Sequence, residues 1–133
     1  MRSGFLAPNL SPINTLARRR AAEQRGRGAE DMVAEALDAR GYTILAKRLR
    51  TGAGEIDLVA ANRRRIVFVE VKARPSTAEA AYAVSARQQA RLLDAAAVAL
   101  ATHPEWARAE MRFDVALVAG GVVEMVEDAI RAN

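Results

Sequence analysis

The sequence predicts a single α/β domain, because segments with a helical period and segments with a strand pattern alternate along its 133 residues. One helix precedes three strands, a long alanine-rich helix follows them, and two more strands come last. A chain of this length forms one hydrophobic core of ordinary size. We therefore expect a globular domain over residues 26–133, preceded by a basic, flexible arm over residues 1–25.

Positive charge is concentrated in the arm. Residues 1–27 contain six Arg and one Glu and carry +5, whereas the whole chain carries +4, so residues 28–133 are close to neutral. Two interpretations fit this distribution. Arg18, Arg19 and Arg20 could bind a nucleic acid by displacing its counterions, or the arm could be an ordinary solvated tail.

The composition limits the chemistry that the chain can perform. Cysteine is absent and histidine occurs once, which excludes disulfides, thiolate metal sites and Cys nucleophiles. A metal would have to be bound mainly by Asp, Glu, carbonyl and water oxygens, which favours Mg²⁺ or Mn²⁺ over zinc. The sequence has neither the run of roughly 18 apolar residues of a membrane helix nor an apolar signal segment near Met1, so we expect a cytoplasmic protein without a membrane partner.

The first firm helix is predicted over residues 26–41. Its apolar face follows the spacing i, i+3, i+4 and i+7 of Glu30, Val33, Ala34 and Leu37. A carboxylate at the edge of a buried face requires a cationic partner, either a metal or a basic side chain. The helix dipole would favour Glu30 in the first turn as well, and this second explanation stays open.

Three strands are predicted next, over Tyr42–Leu49, Glu55–Ala60 and Ile66–Lys72. Two glycines within residues 52–54 separate the first pair of strands. Residues 62–65 form a hairpin turn that lacks the usual glycine.

The hairpin predicts a cluster of polar side chains. Glu55, Asp57 and Val59 share one face of the second strand, and Glu70 and Lys72 share one face of the third. An even-numbered turn sets Asp57 opposite Glu70 and Glu55 opposite Lys72, so that the polar groups converge. Carboxylates about 4 Å apart repel by roughly 4 kcal/mol at an effective dielectric constant near 20, which implies a compensating cation. In the alternative, Glu55 and Lys72 form a cross-strand ion pair, and Asp57 and Glu70 face solvent.

These residues resemble the PD-(D/E)XK nuclease superfamily, through Asp57, the run Glu70-Val71-Lys72 and the helix that carries Glu30. More narrowly, residues 28–128 resemble the YraN-type family of uncharacterised bacterial endonuclease-like proteins, itself similar to archaeal Holliday junction resolvases. The matching segments are Gly28-Ala29-Glu30 with Ala34 and Leu37, Gly41-Tyr42-Thr43-Ile44-Leu45, Gly54-Glu55-Ile56-Asp57-Leu58-Val59, Val67-Phe68-Val69-Glu70-Val71-Lys72-Ala73-Arg74 and Arg112-Phe113-Asp114-Val115.

The resemblance implies a restriction-endonuclease-like core, with a mixed sheet of about five strands flanked by helices. It also implies a Mg²⁺- or Mn²⁺-dependent DNA endonuclease, selective for branched or damaged DNA in repair or recombination, with RNA open as a substrate. Asp57 and Glu70 would ligate the metal, Lys72 would be the catalytic lysine, Glu30 would be an accessory acid at the metal, and Glu55 belongs to the family signature. Nucleases of this fold that cut two strands act as dimers, so by analogy we expect a homodimer.

The chain departs from the family pattern where substrate contacts are expected. Gln88 stands where the family commonly has a lysine, and residues 75–82 lack an expected glycine. Ser85 with Gln88 matches a capping box, so Gln88 could serve helix initiation alone rather than contact substrate. Arg74, Arg87 and Arg91 are the remaining candidates for phosphate contact, although Arg91 could instead pair with Asp94.

The second long helix is predicted over residues 86–102. The residues expected to pack on the sheet are Leu93, Ala96, Ala97 and Leu100. His103 is expected at the helix C-terminus, and Tyr82 and Trp106 are interpreted as packing residues rather than as platforms for bases.

The last two strands are predicted over residues 111–118 and 122–127, the former with one buried face. Arg112 and Asp114 fit either an ion pair that supports the sheet or a substrate contact. Two other classes of protein remain open, a non-catalytic DNA- or partner-binding module with the nuclease fold, and a structural protein.

Overall fold

The structure, a computed structural model, describes residues 28–74 and 85–130. Helix α1 covers residues 28–39, and strands β1 (Thr43–Thr51), β2 (Gly54–Ala61) and β3 (Arg65–Ala73) follow it. Helix α2 (Ala86–Thr102) and a 3₁₀ turn (Pro104–Trp106) lead to strands β4 (Glu110–Ala119) and β5 (Val122–Val126). The basic arm, Arg18, Arg19 and Arg20, the segment 75–82 and Tyr82 lie outside the described residues.

The five strands form one mixed sheet in the order β1-β2-β3-β4-β5. The β3–β4 pair is parallel and the other three pairs are antiparallel. A parallel connection requires a crossover, and α2 provides it between β3 and β4. The predicted α/β class and the mixed five-stranded sheet are confirmed, and they are consistent with a restriction-endonuclease-like core.

Each face of the sheet is covered by one helix. On one face Leu92, Ala95 and Ala99 of α2 pack against a core that contains Phe68 and Phe113, whose ring centroids are 5.4 Å apart. On the other face α1 packs against a second core cluster. The sheet is therefore buried between two helices, and neither helix within the described ranges is long and apolar enough to span a membrane.

The observed burial corrects two predictions, one for β4 and one for α2. Residues 113–118 of β4 are buried on both faces rather than on one, because β4 is an interior strand, between β3 and β5, and contacts both helix layers. In α2 the buried residues are Leu92, Ala95, Ala96 and Ala99, whereas Ala97 is exposed. Nearly every residue from 92 to 101 is apolar, so two stripes one residue apart satisfy the helical period and the pattern alone does not choose between them.

Local hydrogen bonds explain how the elements begin and end. Helix α1 ends in a Schellman motif, in which Tyr42 donates its N–H to the carbonyl of Leu37 at 3.1 Å and Gly41 has a φ of 90°. The predicted capping box at Ser85 and Gln88 is present, and His103 is the C-cap residue of α2. Trp106 stacks on His103 with ring centroids 3.9 Å apart and packs on the core, as expected for a packing residue.

The hairpin turn between β2 and β3 does not need glycine, because Asn62 organises it. The Oδ1 atom of Asn62 accepts hydrogen bonds from the N–H groups of Arg64 at 2.9 Å and Arg65 at 2.8 Å. Such a side-chain-to-backbone turn replaces the glycine-containing type.

Asp114 is a structural residue rather than a substrate contact. It is fully buried and accepts hydrogen bonds from Nε and Nη2 of Arg112 at 2.8 and 2.9 Å, and from the N–H of Asp128 at 2.9 Å. By alternation along β4 it lies on the α1 side of the sheet, together with Ala116.

We predict that Asp114→Asn lowers the free energy of unfolding by about 3 kcal/mol, because it removes the buried, closely hydrogen-bonded counter-ion of Arg112. Glu127→Gln is the matched control, since Glu127 is 51% exposed and lies 3.6 Å from the same arginine. The Glu127→Gln substitution should lower the free energy of unfolding by less than about 1 kcal/mol. Urea denaturation of both variants measures the difference, and equal small losses would contradict a structural role for the buried pair.

Candidate functional site

The candidate site lies where β2 and β3 separate. The two strands pair from Ala61 opposite Ile66 up to Leu58 opposite Val69, which is the register expected for an even-numbered turn. Asp57 is the next residue of β2, and its Oδ2 atom accepts a hydrogen bond from the N–H of Val71 at 2.7 Å. At this end of the hairpin the N–H of β3 therefore donates to the side-chain carboxylate of Asp57 and not to a backbone carbonyl of β2.

Glu70 and Lys72 lie on the neighbouring strand, on the face that Phe68 shares. The Nζ atom of Lys72 is 3.6 Å from Oε1 of Glu70, and their side chains are only 10% and 16% exposed. The alternative in which Glu70 faces solvent and Lys72 pairs with Glu55 is thus wrong. Lys72 lies beside Glu70, and the charge of Asp57 acts on Glu70 as well, so the three residues form one electrostatic cluster, while their catalytic roles stay predictions.

Glu55 belongs to a different part of the cluster. Its carboxylate lies 3.9 Å from Nε of Arg48 and 3.6 Å from Nε of Arg50, the residue directly opposite it in β1. Ile56 packs with Val59 on the α2 side, although strict alternation would place it on the α1 side with Leu58. Alternation is therefore interrupted at Asp57, which explains why the predicted contact between Glu55 and Lys72 does not form.

Glu30 reaches the same cluster from α1. Its side chain is 13% exposed and its Oε1 atom lies 3.8 Å from Nε of Arg48. Glu30 thus faces the sheet, as expected for the edge of a buried helix face, and the cation beside it is an arginine.

Arg91 of α2 lies at the opposite side of the cluster. Its Cγ and Cδ atoms would be 2.8 and 2.9 Å from a Cβ atom at Gly54, so the β1–β2 turn leaves room for this arginine only because Gly54 has no side chain. Its positive charge also opposes the rise in the pKa of Glu70. Arg87 and Arg74 are exposed near this end of the sheet, and an Nη1 atom of Arg74 donates to the carbonyl of Ala73 at 2.8 Å.

Burial raises the pKa of three carboxyls, those of Glu70, Asp57 and Glu30. It raises the pKa of Glu70 to about 7; the charge of Asp57 adds to this rise, and Lys72 opposes it. Burial also raises the pKa of Asp57, although the hydrogen bond from the N–H of Val71 opposes this rise. The pKa of Glu30 is raised as well, by burial and by the charge of Asp57. The cations of the protein therefore do not fully compensate the acids.

The donor set suits a hard divalent cation. All of the acidic groups offer oxygen. Among the described residues, Asp57 and Glu70 make their contacts through Oδ2 and Oε1, which leaves Oδ1 and Oε2 for a cation. Within residues 28–74 and 85–130, no three His, Asp or Glu side chains converge on one position. A cation here would take two carboxylates at a time and complete its shell with water, carbonyl or phosphate oxygens, as Mg²⁺ commonly does.

Sequence reasoning missed Arg48. This residue has a φ of 51° within β1, and it lies beside both Glu30 and Glu55. Apart from Gly, Asn and Asp, residues rarely adopt the left-handed backbone conformation. No periodic pattern in the sequence indicates that Arg48 would adopt it.

We predict that Glu70→Gln stabilises the metal-free protein increasingly as the pH rises from about 5 to 8. The pKa of Glu70 is raised from 4.5 to about 7 on folding, so the native state binds a proton that the unfolded state has lost, and wild-type stability falls over this range. The gain in the free energy of unfolding should be at most about 3 kcal/mol at pH 8. It should vanish at a pH below the pKa that Glu70 has in the unfolded chain. Thermal unfolding as a function of pH provides the measurement, with Glu35→Gln on the exposed side of α1 as the charge control. An equal pH dependence in the two variants would contradict the assignment.

We predict that Gly54→Ala destabilises the fold by roughly 1–3 kcal/mol, since Gly54 has a φ of 139° and a new Cβ would collide with Arg91. Gly52→Ala is the control, because a Cβ atom there meets nothing within 4 Å. Combining Gly54→Ala with Arg91→Ala should recover the part of the loss that comes from the collision. Chemical denaturation of the four proteins tests this, and a double variant no more stable than Gly54→Ala would assign the whole cost to the backbone.

Comparison with known proteins places the chain among bacterial relatives. The model of the uncharacterised protein family UPF0102 matches residues 29–118. A UPF0102 protein of Acidiphilium cryptum is 54% identical over 117 residues, which cover 88% of this chain and 91% of that protein. The UPF0102 protein of Azorhizobium caulinodans is 50% identical over 89% of this chain and 92% of its own length. That of Bradyrhizobium sp. strain BTAi1 is 57% identical over 74% of this chain and 73% of its own length. The chain belongs to the UPF0102 family, the YraN-type family that its motifs resemble.

Proposed function

We propose that this protein is a metal-dependent endonuclease that hydrolyses phosphodiester bonds of DNA. The observation that carries the proposal is the convergence of Asp57, Glu70 and Lys72 where β2 and β3 separate. Two like charges that remain close together while partly desolvated favour a divalent cation between them. Mg²⁺ or Mn²⁺ bound there would polarise a phosphate oxygen and lower the pKa of a bound water.

The side chains of the cluster have separate roles in this proposal. Asp57 is oriented by the N–H of Val71 to its Oδ2 atom, and its other oxygen would bind the cation. Glu70 supplies the other carboxylate and also holds the ammonium group of Lys72 3.6 Å away. Lys72 can then orient the attacking water or stabilise the negative charge that develops on the phosphate.

Arginines around the cluster would hold the nucleic acid. Arg91 lies next to Glu70 and Gly54, and Arg87 and Arg74 are exposed nearby. Arginines placed in this way contact phosphates, which position a substrate without reading its sequence. The +5 charge of residues 1–27 would add affinity for any nucleic acid through counterion release. Selectivity for branched or damaged DNA, a role in repair or recombination and a homodimer are the finer parts of the proposal.

We predict that the purified protein, with Mn²⁺ or Mg²⁺, converts supercoiled plasmid or a four-way DNA junction to cut products. Glu70→Ala and Lys72→Ala should each lower the rate by roughly 100-fold or more, because each removes a group that stabilises the transition state. Lys47→Ala is the control, since Lys47 is an exposed lysine of β1 that pairs with Asp31 at 3.3 Å, and it should retain full activity. Linear duplex and RNA of the same sequence reveal the substrate preference. Cleavage that persists unchanged in both variants would refute the assigned roles.

A non-catalytic DNA- or partner-binding module is the second candidate. Two observations favour it: the described residues contain no ready three-carboxylate metal site, and Gln88 is engaged in the capping box of α2. Retention of DNA at low salt without cleavage in Mg²⁺ or Mn²⁺ would support this module and count against the endonuclease.

A further inference from the structure

Arg48 occupies an unusual position in the sheet. Its neighbours Lys47 and Leu49 pair with Leu58 and Ile56 of β2, so Arg48 lies across from Asp57. Its φ of 51° falls in the left-handed region, which Gly and Asn tolerate better than a long side chain does. The backbone therefore does not explain why an arginine stands here.

The charge of Arg48 gives a better explanation. Its Nε atom lies 3.8 Å from Glu30 of α1 and 3.9 Å from Glu55 of β2. Both distances exceed those of hydrogen bonds, so the guanidinium acts as a shared positive charge and is not locked to either acid. It thereby connects the helix to the strand on the side of the cluster away from Lys72.

The cluster thus has two parts that meet at Asp57, whose charge interacts with both Arg48 and Lys72. Glu70 and Asp57 have Lys72 beside them, with Nζ 3.6 Å from Glu70, and Oδ1 of Asp57 and Oε2 of Glu70 would be the oxygens that an added cation binds. Glu30 and Glu55 already share a cation that belongs to the protein. A positive charge held there also repels a divalent ion within a few ångströms.

We propose that Arg48 is a positioning residue that acts as the resident counter-ion of Glu30 and Glu55, so that a divalent cation is taken by Asp57 and Glu70 alone. The identity of the cation rests on the proposed endonuclease function. The placement of Arg48 between two carboxylates from different elements does not depend on that function. The expected role of Glu30 as a metal ligand then applies only when Arg48 is removed.

Arg48→Asn is the variant that tests this, because Asn accepts the left-handed backbone while removing the charge. Isothermal titration with Mn²⁺ at neutral pH should give one site in the wild type. Arg48→Asn should bind Mn²⁺ about tenfold more tightly, or bind a second equivalent, since a repelling charge is gone and two carboxylates are released. Arg48→Lys keeps the charge and should behave like the wild type.

Arg50→Asn is the matched control. Arg50 also contacts Glu55, at 3.6 Å, but it is 90% exposed and has no left-handed backbone, so its loss should leave Mn²⁺ binding unchanged. Circular dichroism verifies that each variant is folded, and Arg48→Gly replaces Arg48→Asn should the latter not fold. High salt should reduce the difference between Arg48→Asn and the wild type, as expected for a charge effect.

The outcomes separate this inference from the proposed function. If the wild type binds Mn²⁺ and cleaves DNA while Arg48→Asn binds as Arg50→Asn does, the positioning role is overturned and the endonuclease stands. If only Arg48→Asn and Arg48→Gly bind Mn²⁺, the positioning role stands and metal-dependent cleavage by the wild type is overturned. Absence of Mn²⁺ binding in every protein overturns both.

Discussion

The register of the β2–β3 hairpin is the constraint on which the rest of the site depends. Side chains alternate between the faces of a strand, so a slip of one residue would move Glu70 to the α1 side and away from Asp57. Two features prevent such a slip. Asn62 fixes the length of the turn through its two backbone hydrogen bonds, and the buried run from Ile66 to Val69 fills core on both faces. The apolar part of the hairpin therefore positions the acids at its open end.

Irregular backbone is concentrated around that open end. Gly54 has a φ that side chains rarely adopt, Arg48 is left-handed, and the alternation of faces is broken at Asp57. A further irregularity interrupts the β1–β2 register between Ile44 and Ala46. The β3–β4 pair, by contrast, runs in continuous register from Arg65 to Ala73. The Ile44–Ala46 irregularity lies opposite Ala60 and Val59, toward the closed end of the hairpin, whereas Arg48 and Gly54 lie beside the acids. Strained backbone next to a polar cluster is typical of a functional site, because the surrounding core must hold it in place.

The sequence was most informative where a pattern had a single physical solution. The bounds of α2 followed from the Ser85 cap and the Pro104 stop, and the turn residues 62–65 set the hairpin register. It was least informative where several solutions satisfy one pattern. The apolar run of α2 permits two faces, and the strand alternation that was expected to bring Glu55 to Lys72 is broken by a local kink. Arg48 could not have been found, because a left-handed residue in a strand depends on tertiary contacts rather than on its neighbours in sequence.

Asp114 and Glu70, two acids of the same domain, differ in how far the protein compensates their charge. Asp114 is fully buried and has a bidentate arginine and a backbone N–H, so its oxygens are paired within the protein. Glu70 is partly buried beside a second carboxylate, its nearest cation is 3.6 Å away, and its pKa is raised to about 7. A sheet that needed only stability would be served better by an apolar residue at that position, since partly satisfied buried charge destabilises a fold. The contacts of Glu70 and Asp57 within the protein leave the pKa of both carboxyls raised, and under the proposed endonuclease function a divalent cation would supply the missing positive charge.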